Sequence, residues 1–406
     1  MTETTILVRF STKLDGFQVS TTTFNVPSDS NRLALSRLIN HLLQLPKVVP
    51  FDFIVGGEFL RTTLQEHLKE KNIPIESTVD IEYTVALPAP QPEWYNQQEN
   101  WVTSLSYCSS FLFAGIANQS ISANNESGIV CSTDALLSDG TTKRPVKTID
   151  AFDNNGKIEV ACGGKSNNIH IFSFENNTFL HRSILTGHNG SIESLCYSPN
   201  GTHLVSGGWD KKVNVWDLNS GSTLQTTEKR SRSNVKTISE FTSLDGHLQA
   251  VTHCIWPVEK QILSSSLDGT IAIWDIQNTA LASAYKTSKV ATALDYSTVN
   301  SLIATGHNDS IIRLADPRES QITMKLLKSH KNLVTCVAWH PQSAYLLASA
   351  GYDNSIKIWD IRSITPLCTI PFSTKMTAVC WNETGDIFYS AGANGFMKAH
   401  KFTHTN

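Results

Sequence analysis

The chain has 406 residues, of which 40% are hydrophobic and 17% charged, with a formal net charge of -3. That length exceeds what one compact domain usually holds, and the composition is globular rather than disordered, so two folded units are expected. The balanced charge excludes a global pull toward nucleic acid and leaves only a local basic patch as a route to it. The opening MTETTILVRF lacks the basic and apolar regions of a secretory signal, and no run approaches the ~18 apolar residues of a membrane span.

Residues 1–86 read as the first unit. Ile6 to Phe10 is predicted as a strand, Lys13 to Gly16 as a turn, and Phe17 to Val26 as a second strand rich in Thr and Val. Ser28-Asp29-Ser30-Asn31 supplies N-cap candidates. Leu33, Leu35, Leu38, Ile39, Leu42 and Leu43 then mark a helix that Pro46 and Pro50 stop. Phe51 to Val55 is a third strand, turned by Gly56-Gly57. Leu60, Leu64 and Leu68 suit a short helix, and Val79 to Tyr83 alternates as a closing strand. This order is that of a small α+β, ubiquitin-like β-grasp. Residues 87–97 follow as a linker, because three prolines in Leu87 to Pro92 favour stiff, extended backbone. With no free Gly-Gly tail, the first unit is a docking module rather than a conjugated modifier.

Residues 98–406 repeat. Three copies are plain: His188, Ser206, Asp210 and Trp216; His247, Ser264, Asp268 and Trp274; His330, Ser349, Asp353 and Trp359. In each, Asp precedes Trp by six residues. Weaker copies place Asn124, Phe172, Ala315 and His400 at the Trp position, the third of these with Thr305 and Asp309. Seven positions predict a mainly β fold, a seven-bladed WD-repeat propeller. The long step from Trp216 to Trp274 predicts a flexible insertion at 225–245, with a basic knot at Lys229, Arg230 and Arg232.

A His-Ser-Asp set can signal a hydrolase. Three copies at matching spacing point instead to a structural hydrogen-bond chain, in which the Trp indole donates and Ser and His pass the bonds to Asp. Loss of His and Trp in the copy at Ala315 predicts a less rigid blade. Gly163-Gly164-Lys165-Ser166 lacks the upstream Gly of a phosphate loop and reads as a tight turn. The eight cysteines form no CxxC pair; Cys196, Cys254 and Cys380 read as small core hydrophobes at matching places. No cofactor and no catalysis are expected. Function then lies in surface residues.

One surface stretch is informative. Pro74 and Ile75 form an apolar, stiffened segment that presents Glu76, with Asp80 and Glu82 downstream. Composition alone makes this a solvated acidic rim. The sharper reading has Glu76 offering a carboxylate to a metal held by a partner, since Mg²⁺ sites keep open positions.

Pro50-Phe51-Asp52-Phe53-Ile54-Val55-Gly56-Gly57-Glu58-Phe59-Leu60-Arg61-Thr62 resembles the ubiquitin-like domain of the eukaryotic WD-repeat ribosome-assembly factors of the Pescadillo–Bop–WD-repeat (PeBoW) complex. Asn40-His41-Leu42-Leu43, Ile81-Glu82-Tyr83-Thr84 and Glu99-Asn100-Trp101-Val102 look like the same family. The resemblance implies a nuclear protein, of nucleolus and nucleoplasm, acting on pre-60S particles in processing of the precursor to large-subunit and 5.8S rRNA. It implies a propeller bound to a Bop-type propeller, Pescadillo held through Bop, and a ubiquitin-like domain docked on the metal site of the midasin AAA ATPase, which removes the complex. The family's metal-reaching Glu matches Glu76, so the only metal contact implied is in trans, to a partner-held Mg. Notchless-type factors share this plan with eight blades; seven blades favour the PeBoW member. Two other classes remain open. Trp359-Asp360-Ile361-Arg362 fits the WDxR pattern of cullin-ligase substrate receptors, and Lys229 to Arg232 with blade-face lysines could bind rRNA directly.

Overall fold

The computed structural model describes residues 4–402 except 46, 136–143, 220–235, 240 and 320–323. The chain divides into two compact units, one built on Met1–Ala89 and one on the repeats from Pro90. In the first, β1 (Thr5–Ser11) alternates, sending Ile6, Val8 and Phe10 into the core. It pairs antiparallel with β2 (Thr23–Pro27). The second strand is shorter than the sequence suggests, because the ladder stops at Arg9 and Thr23. Residues 17–19 are held instead by the Tyr83 hydroxyl, which donates to the Phe17 carbonyl and accepts from the Val19 N–H at 3.1 Å.

Helix α1 (Arg32–Leu43) begins at Asn31, whose side chain accepts the Ala34 N–H. It ends where Gln44 turns left-handed at φ 50°, ahead of the prolines expected to stop it; Pro46 lies outside the described residues. β3 (Phe51–Val55) is buried at every residue. Gly56 and Gly57, at φ 59° and 81°, turn it as expected, and the chain returns as β4 (Glu58–Phe59), a short strand not expected from the sequence. Two successive positive φ angles suit glycine, and a Cβ on Gly56 would lie 2.8 Å from Ile73. Thr63 and Glu66 form a capping box on α2 (Leu64–Glu70), and β5 (Val79–Val85) closes the sheet in the order β2-β1-β5-β3-β4, parallel to β1 and antiparallel to β3. This is the β-grasp, with Leu35, Ile39, Leu64 and Leu68 packed on Phe10, Phe53 and Tyr83.

The second unit is a ring. Among the described residues there are seven further sheets, numbered here as blades 1–7. Their inner strands are Val102–Cys108, Val146–Asn154, Ile192–Tyr197, Val251–Val258, Ala291–Tyr296, Val334–Trp339 and Met376–Trp381. Each inner strand neighbours the next, and the last neighbours the first. Asn124, Phe172, Trp216, Trp274, Ala315, Trp359 and His400 all fall on the third strand of their blades, as the spacing requires.

The expected linker is a strand over most of its length. β6 (Gln91–Gln97) pairs antiparallel with Phe396–Lys401 and supplies the outer strand of blade 7, closing the ring. Pro92 is tolerated because β6 is an edge strand, and Trp94 packs on Tyr389. The expected insertion at 225–245 is also partly strand. Phe241–Leu244 is the outer strand of blade 3, and Lys236–Ile238 adds in parallel to the outer strand of blade 2. The basic knot lies outside the described residues.

Recurrent contacts join the blades. Glycines in second strands let the next inner strand approach; a Cβ on Gly207 or Gly306 would meet Val251 or Val334 at 2.5 or 2.6 Å. The Thr at the second position of an inner strand donates to the first carbonyl of the next: Thr252 to Ala291, Thr292 to Val334, Thr335 to Met376 and Thr377 to Val102, at 2.6–2.9 Å. At the fifth position Asp150 and Asp295 accept the N–H groups of Tyr197 and Trp339 across the same seam. Burial pushes both carboxyls up to about 6.

Blade networks and a candidate docking loop

The repeated His, Ser, Asp and Trp form the chain expected of them. In blade 3 the Trp216 indole donates to Ser206 Oγ at 2.8 Å, Ser206 Oγ lies 2.7 Å from His188 Nε2, and His188 Nδ1 lies 2.8 Å from Asp210 Oδ2. The indole can only donate, so Ser206 accepts from it, and the carboxylate can only accept, so His188 Nδ1 carries a proton toward Asp210. Blade 4 repeats the bonds through Trp274, Ser264 and His247, whose Nδ1 meets Thr270 at 3.1 Å and Asp268 at 3.4 Å. In blade 6, His330 bridges Ser349 and Asp353 at 2.7 and 2.9 Å beside the buried Trp359. Burial pushes His247 and His330 below the ordinary imidazole value against the pull of Asp268 and Asp353. Burial alone would raise Asp210, Asp268 and Asp353, but their hydrogen bonds hold all three below the usual carboxylate range. Ser206, Ser264 and Ser349 are fully buried and already bonded, so none is placed as a nucleophile.

Blades 5, 1 and 7 replace this circuit with other side chains. In blade 5, Thr305 bonds His307, whose other nitrogen meets the Lys289 carbonyl at 3.1 Å. Asp309 is clamped by both terminal nitrogens of the nearly buried Arg313 at 3.0 and 2.7 Å. In blade 1, Asn124 donates to Ser122 and to the Leu112 carbonyl, and accepts from Gln98 at 3.0 Å. In blade 7, His400 bonds Ser390 at 3.0 Å and stacks on Phe388. Gln98, His307 and Arg313 were missed in the sequence. Gln98 precedes Val102 by four residues, as His188 precedes Ile192, and that offset was the available signal.

Other motifs settle as local structure. Gly163 and Gly164 end a strand, and Ser166 Oγ donates to the Asn168 carbonyl in the turn that follows. Asp360 accepts the Arg362 N–H and Nε at 3.0 and 2.9 Å; Asp316 accepts the same groups of Arg318 at 2.9 and 2.8 Å. Among the described residues the WDxR arginine is thus in one of two such Asp–Arg turns at third-strand ends. Cys254 is buried and its thiol is pushed up to about 12 by burial, but it sits one register position before Cys196 and Cys380.

The docking loop is set by α2 and β5. Asn72, left-handed at φ 53°, ends the turn after α2, and the Ile73 N–H bonds the Leu68 carbonyl at 2.9 Å. Ile73 packs against the core and Val79 is buried, so the segment between them is pinned at both ends. Ser77 Oγ donates to the Pro74 carbonyl at 3.3 Å and tightens the bend. Pro74, Ile75, Glu76 and Asp80 are all exposed, Ile75 by 39%. Asp80 faces Arg9 at 3.7 Å and Glu82 faces Lys13 at 3.8 Å. Among the described residues no cation stands at ion-pair distance from Glu76.

The NLE (NUC135) domain model matches residues 6–68, and the WD domain, G-beta repeat, model matches 179–217, 238–275 and 321–360. The chain is similar to the ribosome biogenesis protein WDR12 homolog of Nematostella vectensis, 30% identical over 93% of this chain and 95% of that protein. It is similar to the WDR12 homologs of Chlamydomonas reinhardtii, 30% identical over 93% and 92%, and of Oryza sativa subsp. japonica, 28% over 96% and 94%. The chain belongs to the WDR12 family of ribosome biogenesis proteins. The chain thus carries three regular WD repeats within a ring of seven blades among the described residues, and an NLE domain match on the β-grasp that presents Glu76.

Proposed function

We propose that the protein is a non-enzymatic scaffold of 60S subunit biogenesis in the nucleolus and nucleoplasm, required for processing of the precursor to large-subunit and 5.8S rRNA. Its ring binds a Bop-type propeller and, through it, Pescadillo. Its ubiquitin-like domain docks on midasin, with the Glu76 carboxylate completing the coordination of a partner-held Mg²⁺ and Pro74 and Ile75 packing beside it. Asp80 lies at the edge of that contact. The observation that carries this reading is Glu76 itself, an exposed carboxylate without a neighbouring cation, on a loop anchored at Ile73 and Val79. A preorganised loop loses little entropy on docking. Full membership of the WDR12 family supports ribosome assembly as the setting.

The test is Glu76→Ala beside Glu76→Asp. Both variants are expected to unfold at the wild-type temperature and to bind the Bop-type partner. Glu76→Ala is expected to lose midasin binding at least tenfold in a pulldown with magnesium and to leave the complex on pre-60S particles. Wild-type midasin binding by Glu76→Ala would end this reading.

A further inference from the structure

The lysines of the ring are unevenly placed. Lys286 ends the outer strand of blade 4, and Lys289 lies in the connection to blade 5. Lys328 ends the outer strand of blade 5, and Lys331 lies in the connection to blade 6. Lys375 lies in the connection from blade 6 to blade 7. Connections from an outer strand to the next inner strand all fall at one end of a propeller, so these side chains share one face. All five are exposed, and among the described residues none stands at ion-pair distance from a carboxylate. Of the acids in the neighbouring turns, Asp309 is paired with Arg313, while Asp268 and Asp353 keep their charge but are turned inward on His247 and His330, each side chain only 6% exposed. At the other end of the same blades stand exposed Glu259, Glu319, Glu383 and Asp386. A chain of net charge -3 therefore carries an arc of five exposed lysines on one face of its ring, where the turn carboxylates between them point inward.

Aromatic rings accompany the arc. Lys375 Nζ sits 5.0 Å from the centre of the Tyr352 ring, at the second-to-third strand turn of blade 6 on that face. The next connection, from blade 7 to blade 1, carries Trp101 with 53% of its surface exposed. Glu99 is the acid beside it. Lysines spaced along an arc match a polymer of regularly spaced negative charge. The exposed Trp101 ring at its end offers a stacking surface that an acidic peptide does not need.

We propose that this face binds the phosphate backbone of single-stranded RNA, with Lys289, Lys331 and Lys375 on phosphates and a base stacked on Trp101. This is separate from the Glu76 docking proposal. The acidic opposite end orients the ring, because it repels the same polyanion.

Fluorescence polarisation of the full-length protein with a labelled 20-nucleotide single-stranded RNA tests this, with polyglutamate of similar length as the second ligand. Lys289→Glu/Lys331→Glu/Lys375→Glu is expected to weaken RNA binding at least 30-fold in 50 mM salt. Three lost phosphate contacts should lower the slope of log affinity against log salt by about 2. Trp101→Ala is expected to cost about 5- to 100-fold. Lys157→Glu/Lys260→Glu, at the opposite end, and Glu76→Ala are expected to bind RNA as wild type. If the triple reversal shifts the unfolding midpoint, the Lys→Gln triple is read instead, with a loss of at least tenfold expected. Absence of RNA binding in 50 mM salt, RNA binding indifferent to the triple substitution, or stronger binding of polyglutamate than of RNA would each overturn the proposal.

Discussion

Blades 3 and 5 solve one problem with different residues. Blade 3 buries a Trp and runs a single hydrogen-bond chain from indole to carboxylate. Blade 5 has Ala315 at the Trp position and Thr287 at the His position, and satisfies its turn carboxylate with a guanidinium from its own third strand. The difference teaches that the position demands a closed circuit of buried donors and acceptors, not particular side chains. Loss of His and Trp predicts a less rigid blade 5 unless neighbouring groups compensate. Arg313 and His307 supply bonds of that kind.

The comparison can be broken most severely at its aromatic member. Trp216 is fully buried against Phe241. Trp216→Ala is expected to lose about 4 kcal/mol in chemical denaturation, because it leaves a large cavity and removes the indole donor from Ser206. Ala315, already small, can take no comparable loss.

The seams on either side should give the next largest effect, read as pH dependence. Asp150 and Asp295 titrate at about 6 in the fold because of burial, against ~3.9 when unfolded. A folded value above the unfolded one means the native state holds the proton more tightly. The stability this gives is fully present below pH ~4 and is lost as pH rises through about 6, a fall of about 3 kcal/mol for each carboxyl. Asp150→Asn and Asp295→Asn keep an acceptor oxygen for Tyr197 and Trp339. Each should flatten thermal stability between pH 4 and pH 7.

Arg313 sharpens the comparison. Arg313→Ala leaves Asp309 without its clamp and is expected to destabilise by about 2 kcal/mol, less than for a fully buried pair because Asp309 retains 21% exposure. Hydrogen exchange should accelerate in blade 5 and remain unchanged in blade 3. Equal acceleration in both blades would show that the guanidinium is not a local replacement for the Trp–Ser–His chain.

Much of this was legible because repetition carries its own check. The six-residue offset from Asp to Trp located the third strands at Trp216, Trp274, Ala315 and Trp359, and the spacing between repeats located those at Asn124, Phe172 and His400. The β-grasp was legible through alternation in Val79 to Tyr83 and the leucine spacing after Asn31. β6 was not, since its partner strand lies some three hundred residues away and its prolines speak for a linker until an edge position excuses them. Lys236–Ile238 escaped for the same reason: its ladder is on another blade. Glu76 is singled out by the family resemblance and not by composition, and the anchorage of its loop needed the packing of Ile73.

The blade seams were more legible than they were read. Val102-Thr103, Val251-Thr252, Ala291-Thr292, Val334-Thr335 and Met376-Thr377 open five inner strands with an apolar residue followed by Thr. Four of these hydroxyls cross to the next blade. Such a bond does not depend on the Trp position, so it should serve regular and degenerate blades alike. Thr335 joins blade 6, which has its Trp, and Thr292 joins blade 5, which lacks one. Thr335→Val and Thr292→Val keep the β-branched shape and remove one donor, at about 1 kcal/mol each in denaturant unfolding. Equal losses would place ring closure in the seams, independent of what fills each blade. A loss confined to Thr292→Val would mean that blade 5 leans on its neighbour, and that its internal circuit is the weaker of the two.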